Sequence, residues 1–214
     1  MKYELLIFDM DGTILDTLED LKNSMNHTLR LHNMPERTLD EIRKFVGNGI
    51  RRLIEQAVTS GTSEDKITEI HMDFMKHYEV HCADFTKPYD GIIDLINELR
   101  SRGYKTAVVS NKANAAVLDL CDQYFPGLFD LAIGETPDVA RKPAPDMVNL
   151  ALDHFKISRE KAVYIGDSDV DAATARNSNL DLIAVDWGFR SRECLIEQGA
   201  KTIVSKPEEI LEMV

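Results

Sequence analysis

Four short segments bring carboxylates, hydroxyls and lysines together at spacings that suit chemistry: Phe8-Asp9-Met10-Asp11-Gly12-Thr13, Ser110-Asn111-Lys112, Lys142-Pro143-Ala144-Pro145-Asp146 and Gly166-Asp167-Ser168-Asp169-Val170-Asp171. Asp9 and Asp11 share a face if the backbone stays extended. Gly12, with Thr13 beside it, lets the chain turn and approach a ligand closely. With Asp167 and Asp171 the set becomes four carboxylates, and like charges so placed resist joint ionisation unless some are protonated or a hard cation neutralises them. Oxygen donors of this kind suit magnesium. Zinc prefers nitrogen and sulfur, and none of the six histidines lies in these segments.

The remaining groups complete a set for phosphoryl transfer. Lys142, on a turn stiffened by Pro143 and Pro145, can neutralise phosphate oxygens and an attacking carboxylate, and Pro145 suits a first helical position. The Ser110 hydroxyl and the Asn111 backbone amide can donate to equatorial phosphoryl oxygens, where transition-state charge is spread.

These residues need a scaffold that converges them. Apolar runs at Tyr3 to Phe8, Lys105 to Val109, Ala162 to Ile165, Leu182 to Val185 and Thr202 to Val204 read as buried strands, with Leu131 to Ile133 a weaker sixth. From Asp90 onward they alternate with helical stripes, such as Ile92, Ile96 and Leu99, or Val117, Leu120 and Tyr124. Alternation of this kind implies a parallel sheet covered by helices, whose ligands bind beyond the carboxyl ends of the strands. Three of the four segments follow predicted strands, so all three open on one edge.

Between the first strand and Asp90 the strand signals stop. Leu18, Leu21, Met25 and Leu29, then Ile67, Ile70, Phe74 and Tyr78, recur at helical spacing over a stretch too long for a simple crossover. Residues 16–85 are therefore expected to form an all-helical domain inserted into a core of residues 1–15 and 86–214. Asp16 with Glu19, and Thr38 with Glu41, look like capping boxes opening helices of that insertion.

In this order the segments resemble the four motifs of the haloacid dehalogenase superfamily. The resemblance spans most of the chain and implies a Rossmann-like core with a helical cap, and hydrolysis through an aspartyl-phosphate. It assigns Asp9 as nucleophile and Asp11 as acid for the leaving group, then base for water. Ser110 and Lys142 hold the phosphoryl group. Magnesium takes the Asp9 and Asp167 carboxylates and the Asp11 backbone carbonyl, with Asp171 orienting its water ligands.

Val46-Gly47-Asn48-Gly49 and Val185-Asp186-Trp187-Gly188-Phe189-Arg190 are similar to segments of the phosphoglycolate phosphatase-like branch, which makes phosphoglycolate the leading substrate. A phosphomutase of the β-phosphoglucomutase type, or a phosphatase acting on a sugar phosphate, nucleotide or pyrophosphate, is the alternative. In the cap, Gly47, Asn48 and Gly49 either join two helices or contact substrate, and Arg51 can fork onto a substrate carboxylate. Asp169 reads as a solvated or helix-starting residue. Asn179 stands where the family usually has Gly, and Asn also tolerates a left-handed helix C-cap.

Composition bounds the partners. With 37 acidic and 25 basic residues, a formal charge of −12 leaves no broad basic surface for a nucleic acid. Three separated cysteines (Cys82, Cys121, Cys194) suit free thiols in a reducing compartment. Leu5 to Phe8 is too short for a signal peptide or membrane span. A cytoplasmic monomer or homodimer acting on a small phosphate ester, without membrane partners, is expected.

Overall fold

A computed structural model of the chain describes residues Lys2–Val214. It contains strands β1 (Leu5–Phe8), β2 (Leu15–Asp16), β3 (Lys87–Pro88), β4 (Lys105–Ala113), β5 (Leu131–Glu135), β6 (Ala162–Gly166), β7 (Asp181–Val185) and β8 (Thr202–Val204). The α-helices are α1 (Leu18–Leu31), α2 (Leu39–Phe45), α3 (Gly49–Ala57), α4 (Glu64–His81), α5 (Ile92–Ser101), α6 (Asn114–Tyr124), α7 (Asp146–Phe155), α8 (Asp169–Asn177), α9 (Arg192–Glu197) and α10 (Ile210–Met213). Residues 1–15 with 88–214 make one compact unit and residues 16–87 another. None of the described helices is long and apolar enough to cross a membrane.

The first unit is built on a six-stranded sheet in the order β5-β4-β1-β6-β7-β8, with every pairing parallel. A strand buried on both faces has no use for polar alternation, and Leu5-Leu6-Ile7-Phe8 is apolar throughout and wholly buried. Leu5 and Ile7 join Met147, Val148, Ala151 and Leu152 of α7 in one core layer. Phe8, on the opposite face by strand alternation, meets Phe129 edge-on at 6.0 Å. Strand order reverses between β1 and β6. That reversal leaves a crevice beyond their carboxyl ends, where Asp9 and Asp167 follow immediately.

Several local expectations are corrected. Ser110-Asn111-Lys112 does not follow β4; the strand runs on to Ala113, its pairing with β5 shifting register between Val109 and Ala113. Asn114 makes the extension possible by accepting the Gly134 amide at 2.9 Å, which keeps β5 bound past the irregularity. Pro145 immediately precedes α7 instead of opening it, so Asp146 takes the first turn. Asn179 does adopt the left-handed conformation, at φ 54°, just after α8, and the Leu180 amide returns to the Ala175 carbonyl at 2.9 Å.

In the helical unit α1 packs on α4 and α2, and α3 on α2 and α4. The buried residues of α4 are Ile67, Ile70, Phe74 and Tyr78, the stripe read from spacing. Thr38 and Glu41 form the expected capping box. Asp16 and Glu19 do not, because α1 starts at Leu18 with Thr17 as its N-cap, and Asp16 accepts only the Leu18 amide at 3.4 Å. Asp20, one position further on, instead accepts the Phe85 and Thr86 amides and the Thr86 hydroxyl, tying the chain beyond α4 to α1.

Three imidazoles stack across this unit, His27 on His77 at 3.9 Å between centroids and His77 on His81 at 4.3 Å. Burial, then the neighbouring His27 and His81 charges, hold the His77 pKa below the usual histidine value, against a small upward pull from Asp84. A base depressed in the folded state binds fewer protons than in the unfolded chain, so stability falls as pH drops through the unfolded pKa of about 6.5. The loss of thermal midpoint on acidification from about pH 7.5 to 5.5 is expected to be smaller in His77→Gln than in the wild type, read by circular dichroism on the full chain.

Candidate active site

The site begins where β1 ends. The Met10 carbonyl accepts the amides of Thr13, Ile14 and Leu15, and Gly12 N–H donates back to the Leu15 carbonyl at 2.9 Å. This compact turn needs Gly12 at φ 86°, a left-handed value, and a Cβ there would collide with the Asp167 carboxylate. The turn fixes Asp9 and Asp11 in different surroundings. Asp9 accepts its neighbour's amide, Met10 N–H, at 2.7 Å and the Lys142 ammonium also at 2.7 Å, with its side chain 11% exposed. Asp11 is 21% exposed and pairs with a different lysine, Lys112, at 3.0 Å.

Lys142 is held from three directions. Asn111 clamps its backbone twice, accepting the Lys142 amide at 2.8 Å and donating to the Lys142 carbonyl at 3.1 Å. Its ammonium donates to Asp171 at 2.9 Å and to the Tyr164 hydroxyl at 3.1 Å. Burial alone would discharge this lysine, but Asp171 and Asp9 outweigh it and hold the pKa well above the ordinary lysine value. The peptide bond from Lys142 to Pro143 is cis.

Asp167 is latched by two donors, the Thr13 hydroxyl at 3.0 Å and the Phe189 amide at 2.7 Å. The segment after β7 that supplies Phe189 also sends the Trp187 indole to the Thr13 carbonyl at 3.0 Å. Between them lies Gly188, where a Cβ would strike the Gly12 carbonyl and the Asp167 side chain. Burial, then the Asp171 charge, raises Asp167 to a pKa of about 7. Burial and Asp171 likewise push Asp9 well above the ordinary aspartate value, against the pull of Lys142.

Asp9, Asp167 and Asp171 bring carboxylate oxygens within 4.8 Å of one another, all buried. An oxygen-only donor set with its acids pushed toward protonation fits a hard divalent cation, whose charge would reverse that push. Asp171 is the most occupied of the three. Its Oδ1 accepts from Lys142 and Tyr164 and its Oδ2 from the Ser168 amide and hydroxyl, so it supports Lys142 and caps α8.

Ser110 is buried within β4 and its hydroxyl oxygen accepts the Lys112 amide at 3.2 Å. The structure thus assembles Asp9, Asp11, Gly12, Thr13, Ser110, Asn111, Lys142, Asp167 and Asp171 in the crevice of the sheet unit. Asp169 lies at the first turn of α8 and pairs with Arg190 at 2.9 Å, as fits a helix-starting residue.

The other predicted residues belong to the helical unit. Gly47 and Gly49, at φ 110° and 77°, carry the chain with Asn48 from α2 into α3, the structural half of their expected role. The Arg51 guanidinium donates to Glu55, Glu64 and Thr68 on the same unit.

A sequence profile of the haloacid dehalogenase-like hydrolases matches residues 6–185. The chain belongs to this family. A phosphoglycolate phosphatase of Aquifex aeolicus is 30% identical over 98% of this chain and 96% of that protein. One from Rhodobacter capsulatus is 33% identical over 86% of this chain and 85% of its own length. A solved structure from Lactobacillus delbrueckii subsp. bulgaricus, for which phosphoglycolate phosphatase is the suggested activity, is 39% identical and superposes with a TM-score of 0.95 over 100% of this chain and 98% of that one.

Lys112, Tyr164, Trp187, Gly188 and Phe189 have roles here that spacing did not assign. Lys112 stands inside a recognised segment and carries the charge opposite to Asp11, which was the available signal. The Gly188 clearance gives a test. Gly188→Ala is expected to destabilise the fold by about 1–3 kcal/mol through overpacking and to weaken divalent-cation affinity about tenfold or more, measured by thermal unfolding and calorimetric titration.

Proposed function

We propose that the chain is a magnesium-dependent phosphatase that hydrolyses phosphoglycolate through an aspartyl-phosphate on Asp9. The observation that carries this reading is the pairing of the two acids with separate lysines, Asp9 with Lys142 at 2.7 Å and Asp11 with Lys112 at 3.0 Å. One carboxylate faces the charge-neutralising centre while its neighbour two residues on is kept for another task. The substrate follows the names of the curated relatives.

In the first half-reaction an Asp9 oxygen attacks phosphorus, the bond from phosphorus to the ester oxygen breaks, and Asp11 gives its proton to the departing glycolate oxygen. In the second, Asp11 takes a proton from water, the water oxygen attacks phosphorus, and the Asp9 carboxylate leaves with inorganic phosphate released. Splitting the displacement in two lowers each barrier, and it requires that the nucleophile and the proton carrier be separate groups.

Lys142, the Ser110 hydroxyl and the Asn111 amide hold the phosphoryl oxygens through both halves. Asp9, Asp167 and the Asp11 carbonyl would hold magnesium, which would supply positive charge to offset the anionic nucleophile and phosphate. Free thiols at Cys82, Cys121 and Cys194 fit a cytoplasmic enzyme.

Asp9→Asn is expected to abolish turnover of phosphoglycolate and of p-nitrophenyl phosphate, with no phosphate burst in rapid quench. In kcat/KM, which reports the first half-reaction, Asp11→Asn is expected to slow the poor alkoxide leaving group by about 10²–10⁴ and the better nitrophenolate leaving group much less, since only the former needs the proton there. Equal losses on both substrates in Asp11→Asn would remove Asp11 from the acid role.

A further inference from the structure

Lys112 carries a full charge into the site with its side chain only 4% exposed. Burying an ammonium is costly unless something anionic repays it. Asp11 meets that requirement in the resting structure, while the carboxylate cluster has its own cation in Lys142, bound to both Asp9 and Asp171. Lys112 instead sits on the side of the proton carrier, 3.0 Å from Asp11 Oδ1. Asp11 is the more solvated acid of the two.

The sheet builds this position deliberately. β4 continues through Ser110-Asn111-Lys112 beyond its register shift, and the Lys112 amide is pinned to Ser110 Oγ at 3.2 Å. Three consecutive residues then serve three parts of one reaction. On the phosphatase reading Ser110 would hold a phosphoryl oxygen, while Asn111 clamps Lys142 and Lys112 lies with Asp11.

We propose that Lys112 selects the leaving group: its ammonium receives a carboxylate borne on the carbon next to the ester oxygen, as in a phosphorylated 2-hydroxy acid. The inference rests on the phosphatase reading above and names the residue of the core that reads that substrate class. Proton transfer needs the Asp11 carboxyl about 3 Å from the ester oxygen, and the Lys112 ammonium is 3.0 Å from the same carboxyl. The ammonium thus lies within about 6 Å of the ester oxygen, and a carboxylate one carbon away spans about half of that distance, ending at hydrogen-bond range from the ammonium.

Electrostatics favours the same assignment. In a chain of formal charge −12, with acids around the crevice, a substrate carboxylate arriving beside Asp11 meets repulsion that one local cation can reverse. An ammonium is a point charge on a flexible stem with donors in several directions, so Asp11 and the incoming carboxylate can share it.

A residue that only positioned Asp11 would affect every substrate alike. The experiment therefore compares phosphoglycolate with ethyl phosphate, in which a methyl replaces the carboxylate, using wild type, Lys112→Met and Lys112→Arg. The wild type is expected to prefer phosphoglycolate. Lys112→Met is expected to lower kcat/KM for phosphoglycolate at least about tenfold more than for ethyl phosphate, mostly through KM, with Lys112→Arg restoring part of the preference.

The inhibition constant of glycolate, which involves no chemical step, is expected to rise about tenfold in Lys112→Met. Equal losses on the two phosphates, with glycolate inhibition unchanged, would overturn the assignment while leaving the phosphatase reading intact. A wild type without preference for phosphoglycolate would overturn the substrate reading itself and the role of Lys112 with it. If Lys112→Met does not fold, Lys112→Gln carries the same comparison and the same two outcomes.

Discussion

The crevice depends on one buried cation placed between two buried carboxylates. Lys142 reaches Asp9 at 2.7 Å and Asp171 at 2.9 Å with almost no access to water. Removing such an ammonium would leave two like charges uncompensated in a low-dielectric site, which is far more costly than the pair is stabilising. Much of the local structure reads as provision for it. Asn111 fixes its backbone, Tyr164 gives its ammonium a neutral third partner, and Ser168 occupies the other oxygen of Asp171. Asp171 thereby joins the start of α8 to the lysine, so a helix cap and an active-site ion pair share one carboxylate.

Clearance for the remaining carboxylate comes from residues without side chains. Asp167 fits only because Gly12 and Gly188 present bare backbone to it, and Gly166 does the same for Asp171. The β7 to α9 connection closes over this point through the Trp187 indole and the Phe189 amide. Thr13 participates twice, donating its hydroxyl to Asp167 and offering its carbonyl to Trp187. The loops after β1, β6 and β7 are consequently one hydrogen-bonded body. Preorganisation of this kind keeps the donors aimed before any substrate arrives, which is where electrostatic catalysis gains most.

The fold was legible because buried parallel strands and amphipathic helices write different periods, and both stripes of the helical unit appear as read. The Asp9 region was legible because Asp-x-Asp-Gly and the later segments follow in the order that the family resemblance carries. What escaped was contact across long sequence separation. Nothing local at Asp16 announces that Thr17 will begin α1, or that Asp20 will be drawn to amides 65 and 66 residues away. Arg51 shows contacts at shorter separation. Its guanidinium pairs with Glu55 one turn along and with Glu64 at the start of α4. Asn111 was read for its backbone amide alone, and the clamp that its side chain places on the Lys142 backbone, 31 residues on, had no local signal.

The spacing of two between the acids has a consequence that the strand geometry explains. Had β1 simply continued, Asp9 and Asp11 would have projected from one face into one environment and competed for one cation. The chain instead turns at Met10, whose carbonyl gathers three amides, so Asp9 remains with the sheet and Asp11 moves out toward the end of β4. Each then meets a different lysine, Asp9 the one in the segment between β5 and α7 and Asp11 the one in β4. A single short turn therefore converts two identical residues into a buried carboxylate beside a fixed charge and a more solvated one beside a flexible charge. Double displacement requires that inequality, because the group that becomes covalently occupied cannot also carry the proton.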